Sequence, residues 1–203
     1  MSALNDLHQD MRTCVKCPVL VKSRTQVVPG VGAEDARIMF IGEAPGFNED
    51  KLGEPFVGAA GAFLNELLGS INLKRQQVFI SNVIKCRPPE NREPLPYEIL
   101  NCRPWLDAQI TLIQPKIIVT LGRHAMDSFL PGKSISKVHG QAFRQGNITY
   151  FAMYHPAAAL YQQSLGDAIK IDMLKLPGIL AQAKENEGKN EEKQEETRQI
   201  KMF

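Results

Sequence analysis

Four short apolar runs recur along the chain, and each stops at a glycine or a polar residue. Arg37-Ile-Met-Phe-Ile41 ends at Gly42, and Gln77-Val-Phe-Ile-Ser-Asn82 ends in an amide. Lys116-Ile-Ile-Val-Thr-Leu121 meets Gly122, and Asn147-Ile-Thr-Tyr-Phe-Ala-Met153 leads into His155-Pro156. Runs of this length, apolar on both faces, predict buried strands that break into tight turns. Between them the spacing changes. Gly58 to Leu68 carries Phe63, Leu64, Leu67 and Leu68 at helical intervals, and Pro96 to Leu112 reads as a second long helix. Gly122 to Leu130 and a segment from about Asp167 are the remaining predicted helices. Strands alternating with helices predict an α/β fold whose parallel sheet is covered on both faces. Such sheets bind ligands beyond the carboxyl ends of their strands. The chemistry-bearing residues Gly42-Glu43, Asn82, Gly122 and His155 all occur there. No internal repeat is visible.

The 203 residues suit one domain with a sizeable core and a short extra segment. That segment is a tail, 184–203, with five basic residues and six acidic ones, leaving residues 1–183 as the folded domain. From Lys184 to Arg198 it is almost free of apolar residues and is expected to be disordered or a frayed helix. The formal net charge of +2 permits a polyanionic partner without requiring one. The N-terminus lacks a basic stretch followed by an apolar one, and no run approaches the roughly 18 apolar residues of a membrane span. A soluble, cytoplasmic protein is expected.

All four cysteines fall into one pattern: Cys14 and Cys17 form a C-x-x-C, and Cys86 and Cys102 are each followed by arginine. Two thiolates three residues apart grip a metal from one turn, and a distant pair completes four sulfur ligands. Pro18 after Cys17 leans towards iron–sulfur; zinc stays open on spacing alone.

At the strand ends, Gly42-Glu43-Ala44-Pro45-Gly46 lets backbone approach a ligand beside a carboxylate. It is neither a Walker loop nor a full dinucleotide fingerprint. Phe56 can stack on a planar ligand, and the Asn82 amide offers one donor and one acceptor to an imide edge. His155 can donate to developing negative charge. Taken singly, each has an ordinary structural reading: a turn, core packing, a strand-end asparagine.

Together the motifs resemble the family 4 uracil-DNA glycosylases, the iron–sulfur branch of the uracil-DNA glycosylase superfamily. The matching residues are Gly42-Glu43-Ala44-Pro45-Gly46 with Glu49-Asp50, Gly53-x-Pro-Phe-Val-Gly58, Asn82-Val-x-Lys-Cys-Arg-Pro-Pro89 with Asn91-Arg92, Cys102-x-Pro104 and His155-Pro156-Ala157. The resemblance implies a three-layer α/β/α sandwich around a four-stranded parallel sheet, and a [4Fe–4S] cluster on Cys14, Cys17, Cys86 and Cys102. It implies a repair enzyme that flips uracil out of single- or double-stranded DNA and hydrolyses its glycosidic bond. Phe56 then stacks on the base, Asn82 reads O4 and N3–H, and His155 faces O2, assisted by backbone N–H groups of the Gly42 turn. Thymine is to be excluded by Glu49, since Gly46 stands where the best-known branch has an aromatic ring. That branch's water-activating aspartate corresponds to Ala44, which leaves Glu43 to orient the water. None of the assigned pocket residues is a lysine, so no Schiff-base step is expected.

Arg87, Arg92, Arg103, Lys133 and Lys137 are candidate phosphate contacts, with Leu160 and Tyr161 as a candidate wedge. Two rival readings are a non-catalytic iron–sulfur DNA-binding module and a relative that traps its substrate covalently. Retention of Phe56, Asn82 and His155 disfavours the first. The absence of histidine between Cys86 and Cys102 disfavours the second. Gln199-Ile-Lys-Met-Phe203 resembles the short peptide by which bacterial repair proteins engage the sliding clamp, which makes the clamp a candidate partner. A monomer is the default for such an enzyme.

Overall fold

The computed structural model of the protein describes residues 2–185. In chain order these form α1 (Ala3–Arg12), α2 (Pro18–Ser23), β1 (Val31–Gly32), β2 (Ile38–Gly42), α3 (Phe47–Leu52), α4 (Ala59–Ser70), β3 (Phe79–Asn82) and α5 (Pro96–Ile113). Then follow β4 (Ile117–Leu121), α6 (Arg123–Asp127), α7 (Ile135–Val138), β5 (Ala142–Gln145), β6 (Ile148–Met153), α8 (Ala158–Tyr161) and α9 (Gln163–Met173), with helical backbone again over 176–185.

The strands form one sheet in the order β1-β3-β2-β4-β6-β5. Its four central strands are mutually parallel and are the four that the apolar runs predict. The sheet has six strands rather than four because an antiparallel strand closes each edge. Both additions are short, of two and four residues, which is how sheet edges avoid pairing with other chains and why the pattern hides them. The strand expected from Gln77 begins only at Phe79, because Arg75–Gln77 forms a 3-10 turn closed by Lys74 N–H on Gln77 Oε1 at 2.8 Å. The helix expected over 122–130 ends at Asp127, and the one expected near Asp167 starts at Gln163.

Strand alternation divides the core in two. Met39, Ile41, Phe79, Ile118 and Ala152 face one layer with Met11, Leu20, Leu106 and Ile113. Ile38, Phe40, Ile80, Ile117, Val119, Leu121, Phe151 and Met153 face the other, against Leu64, Leu67, Leu68, Ile169 and Met173. Period-two burial on strands and helical periodicity on both covering layers give the expected three-layer sandwich. All four parallel strands point their carboxyl ends to the same rim. There the β2 and β3 ends are stitched past the ladder by Val83 N–H on Gly42 O (2.9 Å) and Ile84 N–H on Glu43 O (3.1 Å).

Candidate active site and cysteine centre

A cavity of about 370 Å³ opens at that rim, lined by Glu43, Ala44, Pro45, Gly46, Glu49, Phe56, Ala60, Asn82, Pro88, Asn91, Arg92, His155 and Ala157. Sequence reasoning places Glu43, Ala44, Glu49, Phe56, Asn82 and His155 at one site, and the fold brings all six together. Gly42 lies beneath them. A methyl group on its α-carbon would stand 2.5 Å from Asn82 Oδ1 and 2.7 Å from Phe56 Cζ, so only glycine allows amide and ring to meet over this strand end.

Phe56 is 6% exposed and its backbone is left-handed, with φ +54°. A non-glycine residue in that region is costly and persists where its surroundings fix it. Four features do so. Glu49 Oε1 accepts the N–H groups of Val57 (2.9 Å) and Gly58 (3.1 Å), and Arg75 donates to Pro55 O. Gly61 has no β-carbon to strike Phe56 O, which would lie 1.8 Å from it. The phenyl ring stacks on His155 with centroids 5.5 Å apart and planes 26° from parallel. Glu49 therefore buttresses the stacking turn as well as lining the cavity.

His155 Nδ1 accepts the N–H of Ala157 at 3.1 Å, so the proton of the neutral ring sits on Nε2. Burial pushes its pKa down to about 4, against a smaller opposing pull from Glu49. Neutral His155 is thus a donor through Nε2 at ordinary pH. The Glu43 carboxyl is pushed up by burial, an effect opposed by His124, whose Nε2 is 3.8 Å from Glu43 Oε2 and 3.2 Å from Glu93 Oε1. His124 was not legible as a site residue; nothing local marks it, and only the fold sets it beside Glu43.

Asn82 is 2% exposed at the end of β3, with its backbone carbonyl accepting from Lys85 Nζ at 2.7 Å. Lys85 is fully buried, is not among the residues lining the cavity, and also donates to Ser81 Oγ at 2.6 Å. Burial lowers its pKa to about 8, an effect opposed by the sulfurs of Cys102 and Cys86.

The four cysteines meet around a second, smaller cavity of about 20 Å³, next to Leu20, Arg24, Ile84 and Lys85. Each sulfur faces an N–H group: Cys14 that of Trp105 (3.4 Å), Cys17 that of Asn101 (3.8 Å), Cys86 that of Arg24 (2.9 Å) and Cys102 the Lys85 amide (3.3 Å). Burial raises the pKa of Cys17 and Cys86, and that of Cys102 to about 11. The sulfurs surround a space rather than converging on a point: among the described residues no three His, Cys, Asp or Glu side chains could hold a single metal ion as they stand. The chain between two of these cysteines supplies Pro88, Asn91 and Arg92 to the active-site wall, so the two sites share a segment.

The basic candidates separate. Arg92 lies on the cavity wall and pairs with both oxygens of buried Glu98 (2.9 and 2.7 Å). Arg87 bonds Asn91 Oδ1 at 2.8 Å and lies over Phe47. Arg103 faces the first core layer's rim, bonded to Asp107 (2.6 Å) and Ser128 O (2.8 Å) over Phe129. Lys133 covers Phe143, and Lys137 is on the single turn of α7. Leu160 and Tyr161 protrude from α8, 51% and 90% exposed, beyond the cavity residue Ala157. No described helix is long and apolar enough to cross a membrane. The clamp-like peptide 199–203 lies outside the described residues.

The family model of the uracil DNA glycosylase superfamily matches residues 29–175. The chain is 47% identical to the type-4 uracil-DNA glycosylase of Sulfurisphaera tokodaii over 186 residues, covering 87% of this chain and 84% of the relative. It is 45% identical to that of Archaeoglobus fulgidus over 87% of this chain and 92% of the relative, and 31% identical to a type-5 enzyme of Thermus thermophilus over 68% and 76%. With this breadth of match, and with the strand-end pocket already in place, the chain belongs to the uracil-DNA glycosylase superfamily.

Proposed function

We propose that the protein is a monofunctional, monomeric uracil-DNA glycosylase of the iron–sulfur type, acting on uracil in single- or double-stranded DNA and releasing the free base. One observation carries the reading: Asn82, Phe56 and neutral His155 converge on one cavity with an amide, a ring face and an Nε2–H donor. A base reaches such a pocket only after flipping out of the stack, at a few kcal/mol. There Phe56 supports its face. The Asn82 amide matches O4 and N3–H of uracil, whereas cytosine presents a donor and a bare nitrogen and leaves the buried amide mispaired. Glu49, held by Val57 and Gly58, is assigned to exclude the methyl group that distinguishes thymine.

As the C1′–N1 bond breaks, negative charge gathers on uracil O2 and the sugar becomes oxocarbenium-like. His155 donates Nε2–H to that oxygen, and backbone N–H groups of the Gly42 turn add to the effect. Water then adds to C1′, oriented by Glu43; Ala44 has no group to serve. Lys85 lies outside the cavity, so no amine is placed to form a Schiff base. Arg87, Lys133 and Lys137 are assigned to DNA phosphates, Arg92 and Arg103 more weakly because Glu98 and Asp107 already pair with them, and Leu160 with Tyr161 to the gap left by the flipped base.

Cys14, Cys17, Cys86 and Cys102 fit a [4Fe–4S] cluster. Three buried thiols and the half-buried Cys14, with no carboxylate lining their cavity and each met by an N–H donor, form the soft, hydrogen-bonded sulfur set that such a group requires. The cluster when bound would supply cross-linking of α5 to the loop between α1 and α2 and to the turn after β3. The enzyme would work in the cytoplasm on chromosomal DNA, with residues 184–203 as a tether and Gln199–Phe203 as its clamp-binding end.

Incubation with a uracil-containing single-stranded oligonucleotide should yield free uracil and an alkali-labile abasic site. A stable protein–DNA adduct, or binding without release, would overturn the reading. The purified protein should carry about four irons per chain; a colourless protein with one zinc would overturn the cluster. A peptide of residues 190–203 should bind the sliding clamp, and Phe203→Ala should abolish that binding.

A further inference from the structure

We propose that Lys85 is a positioning residue that fastens the uracil-reading end of β3 to the cysteine centre, so that the group held by the four sulfurs helps to place Asn82. The proposal rests on the reading of Asn82 given above. Lys85 is 1% exposed, yet among the described residues no carboxylate bonds it. Its Nζ is held by Ser81 Oγ at 2.6 Å and by the Asn82 carbonyl at 2.7 Å, both uncharged. Its nearest complement is the sulfur site: Lys85, Cys86 and Cys102 line the same small cavity. An ammonium ion buried among neutral oxygens alone is costly, and such a charge persists where an opposite charge balances it. Four thiolates around a [4Fe–4S] core would carry net negative charge and would supply that balance.

The covalent path is equally short. The Lys85 amide donates to Cys102 Sγ at 3.3 Å, its carbonyl accepts Val28 N–H at 2.8 Å, and its neighbour is Cys86. Lys85 therefore bonds backwards to the strand end that carries Asn82, while its own peptide and its neighbour belong to the sulfur site. Ser81 extends the network inwards, donating to Pro29 O at 2.8 Å and lying 3.3 Å from Gln109 Oε1. All of these partners are buried, so a shift of the ammonium passes to the Asn82 backbone rather than dissipating in solvent. In this arrangement the cysteine centre supports base recognition as well as the outer surface.

The test uses the cluster-loaded protein and two variants, Lys85→Met and Lys85→Gln. Removing a positive charge beside the sulfurs should move the cluster's midpoint potential to more negative values in both. Lys85→Met should also slow single-turnover uracil excision by about 10-fold or more, the scale of a small displacement in a pocket. Its affinity for abasic-site DNA should stay unchanged. Lys85→Gln keeps a donor for the Asn82 carbonyl and should recover part of that rate without recovering the potential. On an Asn82→Ala background, Lys85→Met should cost less than about 2-fold more, because it acts through a group already removed. An unchanged potential in both variants, or a full additional loss on the Asn82→Ala background, would overturn the proposal. So would soluble Lys85→Gln protein that takes up no cluster, which would make Lys85 a requirement of assembly only. Wild-type excision by Asn82→Ala alone would instead remove the reading of Asn82, and the potentials would still report the link between Lys85 and the sulfurs.

Discussion

Adding one methyl group at Gly42 should disable the pocket while leaving the fold nearly intact. The β-carbon of Gly42→Ala would stand 2.5 Å from Asn82 Oδ1 and 2.7 Å from Phe56 Cζ. Ordinary contact begins near 3.4 Å, so the amide must retreat by about 0.9 Å and the ring by about 0.7 Å. Neither has a free direction. Gly42 and Asn82 are cross-strand partners, so β3 cannot slide away without breaking the parallel ladder. Phe56 lies against His155 on one side and on a fixed left-handed turn on the other. The cheaper movement swings both into the cavity, where the base must sit. A misplacement of about 1 Å costs on the order of 10²-fold in rate, and overpacking of this kind about 1–3 kcal/mol in stability. Single-turnover excision from a uracil oligonucleotide, with enzyme in excess, measures the first, and a thermal melt the second. Affinity for abasic-site DNA should change little, since the phosphate candidates Arg87, Lys133 and Lys137 lie outside the cavity. A folded, cluster-loaded Gly42→Ala protein that excised uracil at the wild-type rate would refute the placement of Asn82 and Phe56 over this strand end.

Further outcomes are expected. His155→Ala should lower the single-turnover rate by about 10²–10³, the usual loss for one oxyanion donor, with DNA affinity changed much less. Asn82→Asp should lose most uracil excision and gain some on cytosine, whose N4 amino group a carboxylate can accept; a product assay on paired uracil and cytosine substrates decides it. Stability should fall between about pH 6.5 and 4, since unfolded His155 takes up a proton there that the folded ring resists until about pH 4. With the pocket's water allowed for, that loss is on the order of 2 kcal/mol. Glu98, held below the usual carboxylate range by Arg92, adds to it below the unfolded carboxylate value. Denaturant titrations of the wild type and His155→Ala from pH 7 to 4 should show a shallower acid slope in the variant; equal slopes would contradict the assignment.

The parallel core was legible because burial on both faces leaves unbroken apolar runs, and the polar residue ending each run marks the ligand-binding rim. Edge strands β1 and β5 were not, since a strand with one partner and an exposed face needs no such run. The cysteine set was legible from spacing, but its hydrogen-bond partners were not. Arg24, Asn101 and Trp105 look like ordinary surface or helix residues until the fold turns them onto Cys86, Cys17 and Cys14. Lys85 was hidden differently. It stands inside a motif whose asparagine and cysteine draw attention, and a lysine beside them reads as solvated because lysine so seldom is buried.

The site's electrostatics favour a mechanism in which position outweighs ionisation. A cationic His155 would attract the leaving uracil anion more strongly, but the same burial that strengthens the attraction drives the proton off. A neutral Nε2–H donor avoids that conflict. It is fixed by Ala157 before substrate arrives, and it strengthens as charge grows on O2 without a change of protonation. Glu43 meets the converse constraint: burial favours its neutral form, and His124 beside it opposes that shift, favouring the carboxylate needed to orient water. The side chain opposite the base thus works uncharged, while the charged form of the one assigned to the water is favoured by its neighbour. His124→Ala removes an interaction that favours the Glu43 carboxylate, so it should impair the chemical step more at mildly acidic than at alkaline pH. A loss that is the same at every pH would show that His124 serves the fold alone.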